Sequence, residues 1–371
     1  MSGDELTYHI AFAAIRGMGF DLAHKILDVI PSEKEFFEMP EQELKAITGG
    51  RSKVYERSYR QELLEKATRE IDFIKSNDIG VTYFTDSDYP LRFANASDAP
   101  ILLYTFGNCN LNAKHIVSIV GTRRATEYGT HFCDVLVTEL SSQIKDLIIV
   151  SGLAYGIDIS AHRASLRNNV PTVAVQARGL NKIYPSQHRN DAIEIVNKGG
   201  MIVSDYMSQD EIHKGNFLAR NRIIAALSDC TVVAESADSG GALVTANLAG
   251  SYNRDVFALP GRNSDEFSQG CNRLIKNNQA QLISCANDLI DAMQWERSTS
   301  KKKPTELELF PKLTREEQMI VDLIRQKGDV HINVLTEQLQ IPVYRVMSIL
   351  VDLDYRGIVL TLPGCRYAMA R

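Results

Sequence analysis

Basic residues are not in excess in this chain of 371 residues: 41 Lys and Arg stand against 46 Asp and Glu, a formal net charge of −5. A protein coated in positive charge is excluded, so any contact with nucleic acid must come from a local patch. No run of about 18 consecutive apolar residues occurs, which excludes a spanning helix and predicts no membrane association. The first residues, MSGDELTYHI, carry no basic stretch followed by an apolar one. A secretory signal is therefore not expected, and a cytoplasmic protein is. None of the six cysteines (Cys109, Cys133, Cys230, Cys271, Cys285 and Cys365) forms a C-x-x-C, and no Cys/His cluster has zinc-finger spacing. They read as reduced, mostly buried thiols, and no metal is expected. Also missing are G-x-x-x-x-G-K-[ST], G-x-G-x-x-G with an acid about twenty residues on, H-E-x-x-H and G-x-S-x-G. Those absences disfavour NTP hydrolysis, dinucleotide binding, a zinc protease site and a nucleophile elbow, and no cofactor is expected.

What is present is ordinary globular composition, 44% hydrophobic and 23% charged, sufficient for a core without disulfide or metal support. At roughly 100–200 residues per domain, the length predicts two or three domains. Residues 1–75 are rich in helix formers. Residues 76–295 alternate short β-branched runs with helical patterns. Residues 296–310 (ERSTSKKKPTELELF) are polar, with a Lys run and a proline, and read as a linker. Residues 311–371 form a small last unit.

The middle region sets the fold class. Candidate strands are HIVSIV (115–120), LIIVS (147–151), TVAVQ (172–176), MIVSD (201–205), CTVVAE (230–235) and DVFALP (255–260), with helix-length segments between them. Continuous apolar runs suit strands buried on both faces. Their alternation with helices predicts an α/β fold with a Rossmann-like, mostly parallel sheet and right-handed crossovers. Two earlier runs, IGVTYF (79–84) and ILLYTF (101–106), are candidates for one edge of it.

In such a sheet, ligands bind outside the carboxyl ends of the strands. Three of those ends carry glycine: Gly121 before Arg123 and Arg124, Gly152 after Ser151, and Gly240-Gly241 after Glu235. Glycine admits close backbone approach, and the following helix turns free N–H groups outward, so each loop is either a phosphate site or a plain tight turn. Cations gather nearby. The segment Lys214-Gly215-Asn216-Phe217-Leu218-Ala219-Arg220-Asn221-Arg222 places Lys, Phe and two Arg around an expected helix start, with Asn216 as the expected N-cap. Arg220 and Arg222, two apart, point to different sides. A ring beside cations suits single-stranded nucleic acid; Phe217 as a core residue is the other possibility. Arg254 adds a cation ahead of DVFALPG, or is a solvated surface residue.

Catalytic alternatives are thinner. Asp158 and His162 lie at i, i+4 and read first as a structural lock between helix and loop. Glu235 near Gly240-Gly241 keeps open a nucleotide-processing enzyme, and a non-catalytic nucleotide sensor stays open beside it.

Six segments then fall in one order: GTRRATEYG (121–129), SGLAYGIDISAH (151–162), VAVQARGLNKIYP (173–185), NFLARNRIIAALS (216–228), ESADSGGALVTANLA (235–249), and VFALPG (256–261) followed by SQGCNRLI (268–275). Together they resemble the motif set of the DNA-processing protein A family, also called DprA or Smf, across about 80–295. That resemblance implies a non-enzymatic protein that binds and protects single-stranded DNA and loads the RecA recombinase onto it during natural transformation. It also implies a homodimer formed through the Rossmann-like domain. The family's basic pocket then falls on Arg123 or Arg124, Lys214, Phe217, Arg220 and Arg222, with Arg254 as a further cation and Gly121, Gly152, Gly240 and Gly241 as the glycine loops. Two departures stand out. Leu218 replaces the family's usual proline, and Gln176 and Arg178 alter the loop after the TVAV strand.

The flanks resemble the same family's variable domains. Ile15-Arg16-Gly17-Met18-Gly19 reads as a helix-hairpin-helix turn, or as a plain αα-hairpin. Ala46-Ile47-Thr48-Gly49-Gly50, followed by Arg51 and Lys53, reads as a second. After an N-cap at Thr314, three helical patterns and a hairpin predict a winged helix. Residues 311–371 hold 8 Lys/Arg and 7 Asp/Glu, and the expected recognition helix sets Asp352 and Asp354 against Arg345 and Arg356, so it is not basic, and a protein contact or a weak DNA role is expected.

Overall fold

The computed structural model describes residues 3–48, 53–298 and 313–370. They fall into two compact units, Met1–Ser298 and Thr299–Arg371. Most of the expected linker, from residue 299 onward, lies outside the described residues, as do Gly49, Gly50 and Arg51 of the second expected hairpin turn.

The first unit opens with α1 (Gly3–Ala13), α2 (Phe20–Leu27), α3 (Glu33–Glu38), α4 (Glu41–Thr48) and α5 (Arg57–Ser76). The turn between α1 and α2 carries Gly17 at φ +84°, a left-handed geometry that favours glycine. Arg60 of α5 is buried and donates to the carbonyls of Phe36 (2.9 Å) and Met39 (2.8 Å). It thereby satisfies acceptors left open at the carboxyl end of α3.

The strands are β1 (Gly80–Tyr83), β2 (Leu102–Gly107), β3 (His115–Gly121), β4 (Leu147–Ser151), β5 (Thr172–Val175), β6 (Met201–Ser204), β7 (Cys230–Glu235), β8 (Asp255–Ala258) and β9 (Gln281–Leu282). They form one sheet in the order β1-β2-β6-β5-β4-β3-β7-β8-β9. From β6 to β9 every neighbour pair is parallel, and β2 runs antiparallel to both β1 and β6. The two early runs therefore do extend one edge. Between the strands lie α6 (Glu127–Gln143), α7 (Ile157–Arg167), α8 (Arg189–Asn197), α9 (Lys214–Leu227), α10 (Gly241–Ser251) and α11 (Gln269–Lys276), and α12 (Ala286–Ala292) follows β9.

The central strands are apolar on both faces because both are covered. On β3, Val117 and Ile119 join Leu136 and Leu140 of α6 and Leu289 of α12 in one cluster. Ile116 and Val120, on the opposite face, join Ile223 and Ile224 of α9, Ala246 of α10 and the amino-terminal helices in another. Successive side chains alternate faces, so an uninterrupted apolar strand feeds two cores. The chain builds outward from β3 to β6, then returns to place β7 on the other side of β3. A crevice opens at that reversal, beyond the carboxyl ends of β3 and β7.

The second unit runs α13 (Arg315–Lys327), β10 (Val330–His331), α14 (Ile332–Leu339), α15 (Val343–Tyr355), β11 (Val359–Leu362) and β12 (Arg366–Met369). Its three strands pair in the order β10-β12-β11. β10 thus adds a third strand to the two expected in the hairpin. Thr314 caps α13 reciprocally with Glu317. Val343, Tyr344, Met347 and Val351 are exposed on α15, and its exposed Arg345 is paired with Glu316 (3.0 Å).

Candidate nucleic-acid interface

A cavity of about 560 Å³ occupies the β3/β7 crevice, lined by residues after β3, β4 and β7 and by the first turns of α9 and α10. The loop after β3 is fixed from both sides. Thr122 N–H donates to the Glu235 carbonyl (2.7 Å), and Ile157 N–H donates to the Thr122 carbonyl (3.1 Å). Arg123 leaves this loop exposed into the cavity, its guanidinium 5.3 Å from the centre of the Phe217 ring. Phe217 is half-buried and meets the exposed ring of Tyr184 at 5.3 Å and 56°. It is therefore neither a plain core residue nor a free one. Lys214 is the first residue of α9, exposed at the cavity mouth and, among the described residues, in no ion pair. The segment entering α9 is held by Glu70 of α5, whose buried carboxylate accepts from Ser208 N–H (2.9 Å) and Ser208 Oγ (2.6 Å). Burial pushes the Glu70 pKa up, and the Ser208 hydrogen bonds oppose that shift.

The glycines divide by what stands opposite them. A Cβ on Gly121 would lie 2.4 Å from Ile157 Cγ1, and one on Gly152 would lie 2.5–2.6 Å from the Arg220 guanidinium. Internal packing accounts for both. A Cβ on Gly240 or Gly241 would meet nothing nearer than 3.7 Å or 3.6 Å respectively. Nothing in the protein demands glycine there, and both face the cavity where α10 begins.

Several expectations are corrected by position. Arg220 is 4% exposed. Its Nη1 donates to the carbonyls of Gly152 (2.6 Å) and Val175 and its Nε to Asn221 Oδ1 (3.3 Å), so it braces the cavity floor. Burial lowers its pKa, and Asp158 opposes that. Arg222, on the other side of α9 as its spacing predicts, is tied to Asp205 (2.5 Å) and does not line the cavity. Arg254 precedes β8 and so lies at the opposite, amino-terminal edge of the sheet, where it donates to the Arg92 carbonyl (2.8 Å). Arg124 is exposed but paired with Glu266 (2.8 Å) and laid over Phe267; Arg123 is the one that enters the cavity. Asn216 is not the N-cap of α9. His213 holds that place, and Asn216 sits inside the first turn.

The catalytic alternatives lose their geometry. Glu235 is buried, and its two oxygens accept from Thr126 N–H (2.9 Å) and Thr126 Oγ1 (2.5 Å), securing the start of α6. Asp158 and His162 go to different partners. Asp158 is buried against the backbone of Gly152 and Ala154, and burial raises its pKa against the pull of Arg220. His162 Nδ1 sits 2.7 Å from Thr172 Oγ1, and burial drops its pKa to about 3. Asp158 thus locks loop to helix without the histidine. Among the described residues no group of three or more His, Cys, Asp or Glu is placed to hold a metal ion, and no helix is long and apolar enough to cross a membrane.

Sequence reasoning missed Tyr184. The available signal was a lone aromatic in the polar loop GLNKIYPSQH.

A family model described as DNA recombination-mediator protein A matches residues 80–294. Protein Smf of Synechocystis is 32% identical over 306 residues, covering 79% of this chain and 74% of that protein. The X-ray structure of DNA processing protein A from Streptococcus pneumoniae superposes with a TM-score of 0.64 at 30% identity, over 77% of this chain and 97% of that one. The Helicobacter pylori protein, whose structure describes a single-stranded DNA binding mode, gives a TM-score of 0.52 at 31% identity, over 58% and 95%.

Proposed function

The chain belongs to the DNA recombination-mediator protein A family, DprA/Smf, and on that premise we propose that its β3/β7 cavity is where a single strand of DNA is gripped. The protein is a DNA-processing recombination mediator. In this assignment Arg123 and Lys214 take backbone phosphates, the amides of Gly240 and Gly241 at the start of α10 take another, and Phe217 stacks a base. One observation carries it. A half-buried ring meets both a guanidinium and a second ring, beside a lysine that, among the described residues, is in no ion pair, at the mouth of an open cavity. Contacts to phosphate and to ring faces carry little sequence information, so binding is expected to be general.

The remaining steps rest on family membership. The bound strand is protected and passed to RecA, the protein acts as a homodimer through residues 76–295, and no turnover is involved. Residues 1–75 are the helical domain docked on that core, and 311–371 a separate winged-helix domain. The engaged state of Glu235 supports binding without chemistry.

Fluorescence anisotropy on an oligothymidylate across a salt series tests the assignment. Each phosphate contact contributes about −0.7 to the slope of log K against log salt. The double change Lys214→Ala and Arg123→Ala should flatten that slope by about 1.4, while Arg254→Ala leaves it alone. An unchanged slope in the double variant rejects the pocket.

A further inference from the structure

The carboxyl edge of the sheet does not end at the cavity. It continues over the loop between β5 and α8 and the neighbouring loop between β4 and α7. Tyr184 and Tyr155 are 43% and 41% exposed and line one narrow recess beside Phe217 and Arg123. Both rings are held in place rather than left to swing. The Tyr155 hydroxyl donates to Gln187 Oε1 (2.7 Å), and its ring meets His188 edge-on at 4.9 Å. Tyr184 N–H reaches Gln176 Oε1 at 3.4 Å, and its ring rests on Phe217. Fixed aromatic faces left open to solvent mark a binding surface.

The charges agree. Lys182 and Arg189 are exposed in the same loop and at the first residue of α8 and, among the described residues, belong to no ion pair. Cations on the adjoining helices are neutralised: Arg163 pairs with Asp191, Arg167 with Asp134, and Lys198 with Glu194. Asp191 lies two residues from Arg189, yet it is taken by Arg163. Open cations of this loop, Lys182 and Arg189, thus flank Tyr184, and the loop after β4 sets Tyr155 beside it in the same recess.

We propose that the loops after β4 and β5 together form a second single-strand subsite, in which a base stacks on Tyr155 and phosphates are held by Lys182 and Arg189, extending the grip of the central cavity along the strand. The inference rests on the cavity being a single-strand site, and Tyr184 is the ring common to both. Stacking platforms and backbone-tracking cations are the two parts that sequence-tolerant binding to a single strand requires.

The test compares the full-length protein with the variants Tyr155→Ala and Lys182→Ala/Arg189→Ala on oligothymidylates of about 5 and about 15 nucleotides, the span of single-strand site sizes. All three side chains are exposed, and circular dichroism with a melt confirms that the fold is kept. Tyr155→Ala should weaken the longer oligonucleotide by about 5- to 100-fold, as loss of one stacked base does, and leave the shorter one within about twofold. Lys182→Ala/Arg189→Ala should flatten the salt slope by about 1.4 on the longer strand only. Tyr155→Phe keeps the ring and should bind as the parent does. The subsite is overturned if the variants match the parent at both lengths, or lose both lengths equally. If the unaltered protein binds neither length, the cavity assignment itself has failed, which is a distinct result.

Discussion

Gly152 and Gly240 both sit in glycine loops at the carboxyl edge of the sheet, yet replacing each with alanine should produce opposite defects. At Gly152 the new methyl would lie 2.5 Å from the guanidinium of Arg220, close to an ångström inside ordinary contact. Arg220 cannot yield cheaply. It is buried, and its Nη1 is committed to the carbonyls of Gly152 and Val175. Displacing it strains charge-assisted hydrogen bonds worth about 1.5–3 kcal/mol each, in a place where water does not replace them. A loss of about 2–5 kcal/mol is expected, against a typical total of about 5–15 kcal/mol. At about 2–4 °C per kcal/mol for a unit of this size, the melting temperature should fall by roughly 5–15 °C. At Gly240 the nearest atom to the new methyl is Ser236 Oγ at 3.7 Å, and the residue is extended backbone, so no strain arises. Exchange of glycine for alanine at an N-cap costs about 1 kcal/mol or less. On the proposed assignment, the methyl would instead occupy the space through which a phosphate reaches the amides of α10. Gly240→Ala should therefore melt within about 3 °C of the parent and bind single-stranded DNA several-fold more weakly. Differential scanning fluorimetry and anisotropy on the same preparations read both axes. A Gly152→Ala protein that melts like the parent would show that Arg220 is not locked. A Gly240→Ala protein of parental affinity would remove α10 from the interface.

Two further outcomes follow from buried groups. His162 is held neutral by burial, with a pKa near 3 in place of the usual 6.5. The unfolded chain therefore takes up a proton that the folded chain refuses as pH falls below about 6.5. The stability this group contributes is present above that value and is lost progressively down to about pH 3, by up to ~1.4 kcal/mol per pH unit; urea melts of His162→Gln should show a shallower acid limb, and an unchanged limb refutes the assignment. Glu235→Gln keeps the size of the side chain but puts an amide nitrogen where one oxygen now accepts from Thr126. It should lower the melting temperature and spare strand affinity, whereas lost turnover of any nucleotide at unchanged stability would restore the enzyme reading.

Different kinds of information made some features legible in the sequence and hid others. Strand β3 announces itself because both faces are covered and every position from Ile116 to Val120 is apolar except Ser118, which is buried against Thr231 Oγ1 at 2.7 Å. Strand β9 does not, because its two residues are exposed and their pairing to β8 is a main-chain matter. The phosphate-edge glycines are identical letters, but a Cβ at one collides with Arg220 and at another meets open space. That difference depends on a side chain far along the chain. The position of Arg254 was legible, since a residue preceding a parallel strand sits at the edge opposite the one where ligands bind. The arginines are the hardest case. Local sequence gives the spacing that sends Arg220 and Arg222 to different sides of α9, and it puts Arg123 beside Arg124. Availability is set instead by whether a carbonyl, a carboxylate or nothing has been folded against the guanidinium. For Arg220 the partner is the main chain of two strand ends, for Arg222 it is Asp205, for Arg124 it is Glu266, and for Arg123 it is only the face of Phe217. A charge stacked on a ring keeps all its N–H donors for an incoming anion, because the quadrupole attracts the cation without taking a hydrogen bond. Of the four, Arg123 is the guanidinium whose described contact, the face of Phe217, takes none of its N–H donors.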